Sequence, residues 1–177
     1  MRHLKFEMIT NKLKSIIYSK KIRKALNNKA FQGEDYSGKV GLIIDAENFE
    51  NTKELLNTYN ELGIKKEDLK VVICGSMELS PELQDVEILY SKDVTVSGEF
   101  RAEGIQDFAS NRYDFLICHF SGKCQAGSLL AAVTNAGIKL GNHPDEYGIY
   151  DIEIFSDSIE DFQQEVIKYS RILKRNN

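Results

Sequence analysis

From Lys39 onward, short apolar runs alternate with stretches of helical periodicity. Residues 40–44 (VGLII) are a continuous apolar run of strand length; Leu55, Leu56, Tyr59 and Leu62 then recur at helical spacing as far as Gly63, which is placed as a left-handed cap. Further strands are predicted at 71–74, 86–90, 115–118, 138–140 and 152–155. Further helices are predicted at 102–110, at 125–136 with Gly137 as the stop, and from a cap at Asp157 or Ser158 through the stripe Phe162, Val166, Tyr169 and Leu173. The connection 91–101, with Ser97-Gly98, is long enough to act as a flap and reads otherwise as a solvated connector.

Strands that alternate with helices make a parallel sheet covered on both faces, so the predicted class is α/β: a single doubly wound, Rossmann-like sheet of about six strands. Composition orders it. VGLII, VVIC and FLIC are apolar throughout, as strands buried on both faces are, whereas VEILY and IEIF carry acids and suit the edges. The order 3-2-1-4-5-6 satisfies this and places the ligand crevice outside the carboxyl ends of strands 1 and 4, where the winding reverses.

Two segments stand in that crevice. The first strand runs into Asp45-Ala46-Glu47-Asn48, the fourth into His119-Phe120-Ser121-Gly122-Lys123. A carboxylate at a strand end holds a ribose hydroxyl, a metal or a proton, or else caps the next helix and orders the turn. Ser121, Gly122 and Lys123 precede a helix whose free N–H groups favour an anion, so Asp45, Asn48, Ser121, Gly122 and Lys123 form a candidate site for a phosphate-bearing small molecule. The motif content is low. Ile117 and Cys124 stand where a Walker A loop needs its first Gly and its hydroxyl, and no GxGxxG follows the first strand. An ordinary strand-to-helix turn is the competing reading.

Neither Cys-x-x-Cys nor His-x-x-x-His is present, so no metal and no cofactor is expected. Cys74 and Cys118 read as buried small hydrophobes, and all three thiols are expected to be free. Cys124, near a helix N-terminus and Lys123, is the one whose thiolate is favoured. With no base beyond His119, no catalytic residue is assigned.

The 177 residues, 42% hydrophobic and 28% charged, fit one soluble domain. The apolar runs are too short to span a bilayer, and Lys and Arg interrupt the N-terminal stretch where an export signal would be unbroken. An odd number of cysteines without such a signal points to the reducing cytoplasm.

Charge changes the picture most. The net charge of -4 is an average: residues 1–30 carry nine Lys and Arg against Glu7 alone, +8, and the remainder stands at -12. The chain therefore divides into a basic helical arm, 1–30, and a Rossmann-like domain, 31–177. Lys12, Lys14, Lys20, Lys21, Arg23 and Lys24 would meet an anionic partner: RNA or the ribosome, an anionic membrane surface, or the chain's own acidic body. The arm lacks Gly and Pro and can be helical throughout, but Phe6, Ile9, Leu13, Ile16 and Ile17 share one face while Tyr18, Ile22, Ala25 and Leu26 share nearly the opposite one. The helix either breaks near Tyr18 or touches two surfaces. The near absence of aromatics disfavours single-strand readout.

The basic N-terminal helix, VGLIIDAEN, NELG, YDFLI, LLAAVTNAGIKLG and IYDIEIF together resemble a family of short bacterial α/β proteins of unknown function. That resemblance implies the architecture and no activity. YDFLICHFSGKCQAGSLLAAVTNAG is more distantly similar to the nucleotide-sugar half of heptosyltransferase-like glycosyltransferases, with Ser121 and Gly122 at the loop and Leu130, Ala131 and Ala132 in the helix. It departs from that motif at His119-Phe120, which stands where the acidic residue belongs, and in lacking the Pro and His after the Gly. Two functions follow as expectations. One is a non-catalytic accessory protein, cytoplasmic or peripheral to the membrane, docking through the basic helix. The alternative is a small transferase or hydrolase acting on a phosphorylated or nucleotide-linked substrate in the crevice.

Overall fold

Every residue of β1 (Val40–Asp45) is buried, as its apolar run requires: Val40, Leu42 and Ile44 face one side of the sheet and Ile43 the other. The computed structural model describes residues 2–28, 37–47, 49–77, 83 and 85–175. With β2 (Leu69–Cys74), β3 (Val86–Leu89), β4 (Arg112–His119), β5 (Asn135–Asn142) and β6 (Ile152–Ile154), β1 forms one all-parallel sheet in the order β3-β2-β1-β4-β5-β6. This is the expected doubly wound α/β fold, with β1 and β4 adjacent at the reversal.

Helices cover both faces. On one side α2 (Phe49–Thr52), a 3-10 turn at Lys53–Asn57, α3 (Thr58–Leu62) and the long α6 (Ile159–Arg175) bury Leu55, Leu62, Phe162 and Val166 against Val40, Leu42 and Ile44. Gly63 closes α3 at φ 65°, the left-handed cap expected of it. The Ser158 hydroxyl caps α6 by accepting from the Asp161 N–H at 3.1 Å. On the other side lie α4 (Glu103–Ser110), α5 (Gln125–Val133) and α1 (Arg2–Asn27).

Three boundaries differ from the sequence reading. α5 ends at Val133, because Thr134 turns extended and both its N–H and its hydroxyl return to the Leu130 carbonyl, at 2.9 and 2.8 Å. Gly137 is therefore a residue of β5 and not a helix stop. β5 and β4 are also longer than their apolar cores, since the ladder continues through polar residues: Asp114, inside β4, accepts from the Ser37 and Gly38 N–H groups at 2.6 and 2.9 Å and so fixes the entry to β1. The third is the flap candidate 91–101. It folds into a turn closed by a Val94–Phe100 bridge and rests on α1.

Lys139, buried in β5, aims its ammonium at the end of α5, donating to the Ala131 and Ala132 carbonyls at 2.6 and 3.1 Å. A cation there answers both the orphan carbonyls and the negative end of the helix dipole.

α1 is unbroken through Tyr18, so of the two alternatives it is the one that touches two surfaces. Tyr18 and Ile22 belong to the core on the α5 side, 4% and 0% exposed. The Tyr18 hydroxyl donates to the Thr95 carbonyl at 2.9 Å, and Gln125 at the start of α5 donates to the Ser15 hydroxyl at 2.7 Å. Gly98, at φ 77°, lies close enough that a Cβ would stand 3.0 Å from Lys21 and 3.5 Å from Tyr18. Leu13 and Ile16 lie on the opposite side, 48% and 55% exposed. The two sides of α1 should therefore answer differently to truncation: Ile22→Ala is expected to cost about 3 kcal/mol of unfolding free energy, and Ile16→Ala about 0.5 kcal/mol or less, measured by urea denaturation.

Candidate functional site

At the reversal point β1 ends in Asp45, which strand alternation turns toward the α5 side, and β4 ends in His119, which faces α6. Asp45 is 4% exposed, and its Oδ2 accepts from the Ser121 N–H at 2.6 Å and the Ser121 hydroxyl at 2.7 Å. A charged acceptor taking two donors from one residue is a strong local tie, and it holds the loop after β4 against the end of β1. Asn142 holds the same loop from β5, exchanging two hydrogen bonds with the backbone of Phe120 at 2.7 and 2.8 Å.

Of the crevice residues, Asp45 and Ser121 are thus brought together. Gly122 stands open, with nothing within 4 Å of where its Cβ would be. Lys123 is turned outward, 76% exposed, and pairs with Glu146 at 2.9 Å, which raises its pKa. Asn48 lies outside the described residues. The Ser121 hydroxyl is committed to Asp45, and the nearest imidazole faces the other side of the sheet. Leu130, Ala131 and Ala132, which match the glycosyltransferase helix, are buried in the core.

The open space lies one step away, over the carboxyl ends of β4, β5 and β6. A cavity of about 830 Å³ is lined by His119, Asn142 and His143, with Glu50, Glu54, Asp157 and Glu160 around it. His143 is held in place on two sides, by Glu153 at 2.7 Å and by the ring of the exposed Phe155, stacked at 4.2 Å. His119 packs edge-on against Phe162 with centroids 4.9 Å apart, and among the described residues its buried Nδ1 has no hydrogen-bond partner. Burial lowers the His119 pKa below its ordinary 6.5, against a smaller upward pull from Asp45, so the ring is neutral at pH 7. The sequence reading passed over this place because its residues come from four separate segments; the signal that could have marked it was a histidine ending a central strand.

Among the described residues, no group of three or more His, Cys, Asp or Glu side chains is placed to hold a metal ion, and no helix is long and apolar enough to cross a membrane.

Six of the arm's cations fall into two groups. Lys14 and Lys21 are half-buried and turn to the Val94 and Gly98 carbonyls, at 3.4 and 3.2 Å. Lys12, Lys20, Arg23 and Lys24 are exposed, on the same outer side as Leu13 and Ile16.

The model of a family of unknown function, DUF6913, matches residues 14–173. The chain belongs to that family. The DUF6913 match begins within α1 and ends near the end of α6, so it takes in Tyr18, Ile22, all six strands and the residues around the cavity. No curated protein and no solved structure matches the chain.

The buried neutral imidazole gives this DUF6913 fold a pH dependence. A histidine whose folded pKa is lowered binds its proton more readily unfolded, so its stabilisation is present above the unfolded pKa of about 6.5 and is lost as pH falls from there through the folded pKa. His119→Gln is expected to lessen the drop in melting temperature between pH 7.5 and pH 5, read by thermal denaturation at matched ionic strength.

Proposed function

We propose that this protein is a peripheral accessory protein that docks on an anionic lipid surface through the outer face of α1, with the α/β body held on the solvent side. The observation that carries the reading is the exposure of Leu13 and Ile16, 48% and 55%, among the exposed Lys12, Lys20, Arg23 and Lys24. A helix that needed only to cover the core would place its large apolar residues inward. This one has used its inward side for Tyr18 and Ile22 and still presents branched aliphatics to solvent beside cations, the residue mixture of an interfacial helix. Cations near an anionic surface contribute about 1 kcal/mol each, and half-exposed Leu and Ile side chains roughly 1 kcal/mol apiece on entering the acyl boundary.

The charge split sets the orientation. A +8 arm is drawn to a negative surface that repels a -12 remainder, so the molecule approaches with α1 leading. The interaction is screened at a Debye length of about 8 Å at physiological salt, and the apolar contact is what persists there. RNA would draw the same cations but has no use for Leu13 and Ile16.

The test is cosedimentation of the full chain with vesicles of phosphatidylcholine alone or with phosphatidylglycerol, beside binding to a duplex RNA. Binding to the anionic vesicles only, weakened by salt, is expected. Leu13→Gln with Ile16→Gln should lower it about tenfold or more, from the apolar contribution above, while the melting temperature is kept. Binding to RNA that this double variant leaves unchanged, with none to vesicles, would overturn the lipid reading in favour of nucleic acid.

A further inference from the structure

The cavity over β4, β5 and β6 has a wall that is fixed from the protein side and still holds an uncommitted nitrogen. Glu153 accepts from the Asp145 N–H at 2.7 Å, and that bond, with His143 adding to it, keeps the Glu153 pKa below its ordinary 4.5. Glu153 is therefore a carboxylate at pH 7. The His143 Nδ1 that stands 2.7 Å from it must carry the hydrogen, because a carboxylate only accepts. That leaves His143 Nε2 without a partner among the described residues, on a ring locked by Glu153 and by the Phe155 stack at 4.2 Å.

Charge narrows what the cavity suits. Among the described residues, no Lys or Arg lines it, and the neutral His119 adds no positive charge to the wall. Two of its four acids are accounted for by the fold: Glu50 pairs with Lys53 at 2.8 Å, and Glu160 stands in the first turn of α6 at the positive end of that helix. Glu54 and Asp157 have no ion-pair partner among the described residues. The wall thus presents acceptors and negative charge, which N–H donors and positive charge complement.

Shape narrows it further. No three of the His, Cys, Asp and Glu side chains among the described residues are placed to share one metal ion, so a point cation would engage few of them. They are spread around about 830 Å³, with Ile154, Phe155 and Ile159 in the same lining. Phe155 is 71% exposed, a large ring that the core does not use. Such a ring offers apolar area to methylenes and its negative face to an ammonium. A flexible chain with ammonium groups spaced along it matches the spread of the acceptors, their charge and the apolar surface together.

We propose that this cavity binds an aliphatic polyamine, with its ammonium groups on Glu54, Asp157 and His143 Nε2 and its methylenes on Phe155. The site lies on the α6 side of the sheet and α1 on the other, so it stands apart from the docking of α1.

The experiment titrates the full chain with putrescine or spermidine at pH 7.5 and matched ionic strength, by calorimetry and by thermal denaturation. Saturable binding at one site and a raised melting temperature are expected, the rise growing with ligand concentration relative to the dissociation constant. Butylamine has the four methylenes of putrescine but one ammonium, and it should bind more weakly; magnesium chloride should give no such rise. Phe155→Ala is expected to weaken binding about threefold or more, and Glu54→Gln with Asp157→Asn about tenfold or more. Glu99→Gln, which removes an exposed acid in the 91–101 turn, should leave it unchanged. Glu54 and Phe155 are both exposed, so their single variants carry the test if Asp157→Asn loosens the start of α6. An equal response to magnesium or butylamine, or binding that the Glu54 and Phe155 variants leave intact, would reduce the effect to general screening of the acidic body and overturn the assignment. So would the absence of any binding at millimolar spermidine.

Discussion

A parallel sheet buries both faces, and the apolar positions of β1, β2 and β4 commit this chain to covering two of them. The connections supply α3 on one side and α4 and α5 on the other, and α6, after the last strand, joins α3. The second side is finished by α1, from outside the alternating pattern, through Tyr18 and Ile22. Much else follows from that seat. The 91–101 connection is held because α1 offers Tyr18 and Lys21 to its carbonyls, and the start of α5 is tied to α1 through Gln125 and Ser15. A helix rich in Lys cannot bury all round, so once its inner side is fixed its outer side is fixed too.

That division gives α1 two sides built from different residues. Tyr18, Ile22, Lys14 and Lys21 face the body, while Leu13, Ile16, Lys12, Lys20, Arg23 and Lys24 face away. Changing the outer set leaves the packing of the inner set untouched, so the proposed docking can be tested apart from stability. In the proposed docking the acidic remainder of the chain adds direction, since a surface that attracts α1 repels what lies behind it.

The carboxyl end of the sheet shows how little room a switch point has for competing uses. Asp45 spends one oxygen on Ser121 and thereby fixes the loop, Asn142 spends its whole amide on Phe120, and Lys123 leaves for Glu146. Of the residues read as an anion crevice, Asp45, Ser121 and Lys123 thus each have a protein partner, and Gly122 stands open. What stays available is on the α6 side, a neutral imidazole beside a cavity with acidic surroundings.

Much of this was legible in the order of residues. The apolar runs gave six strands, the helical stripes gave the layers between them, and the acids within VEILY and IEIF marked the edges, because burial on two faces tolerates no alternation and an edge does. The +8 arm and its two apolar faces could also be read, since helical periodicity is a local property. The end of α5 could not: Thr134 leaves the helix because β5 must reach its place beside β4, and Gly137 looks like a stop only when that neighbour is out of view. Nor could the seat of α1, whose choice between its two faces depends on a surface assembled from α5 and the 94–98 turn. The direction of Lys123 and the cavity beside His119 join residues tens of positions apart. Sequence determined which elements form and how they layer, through local periodicity and burial; which side chains meet at the strand ends was decided only by the register and twist that bring those ends together.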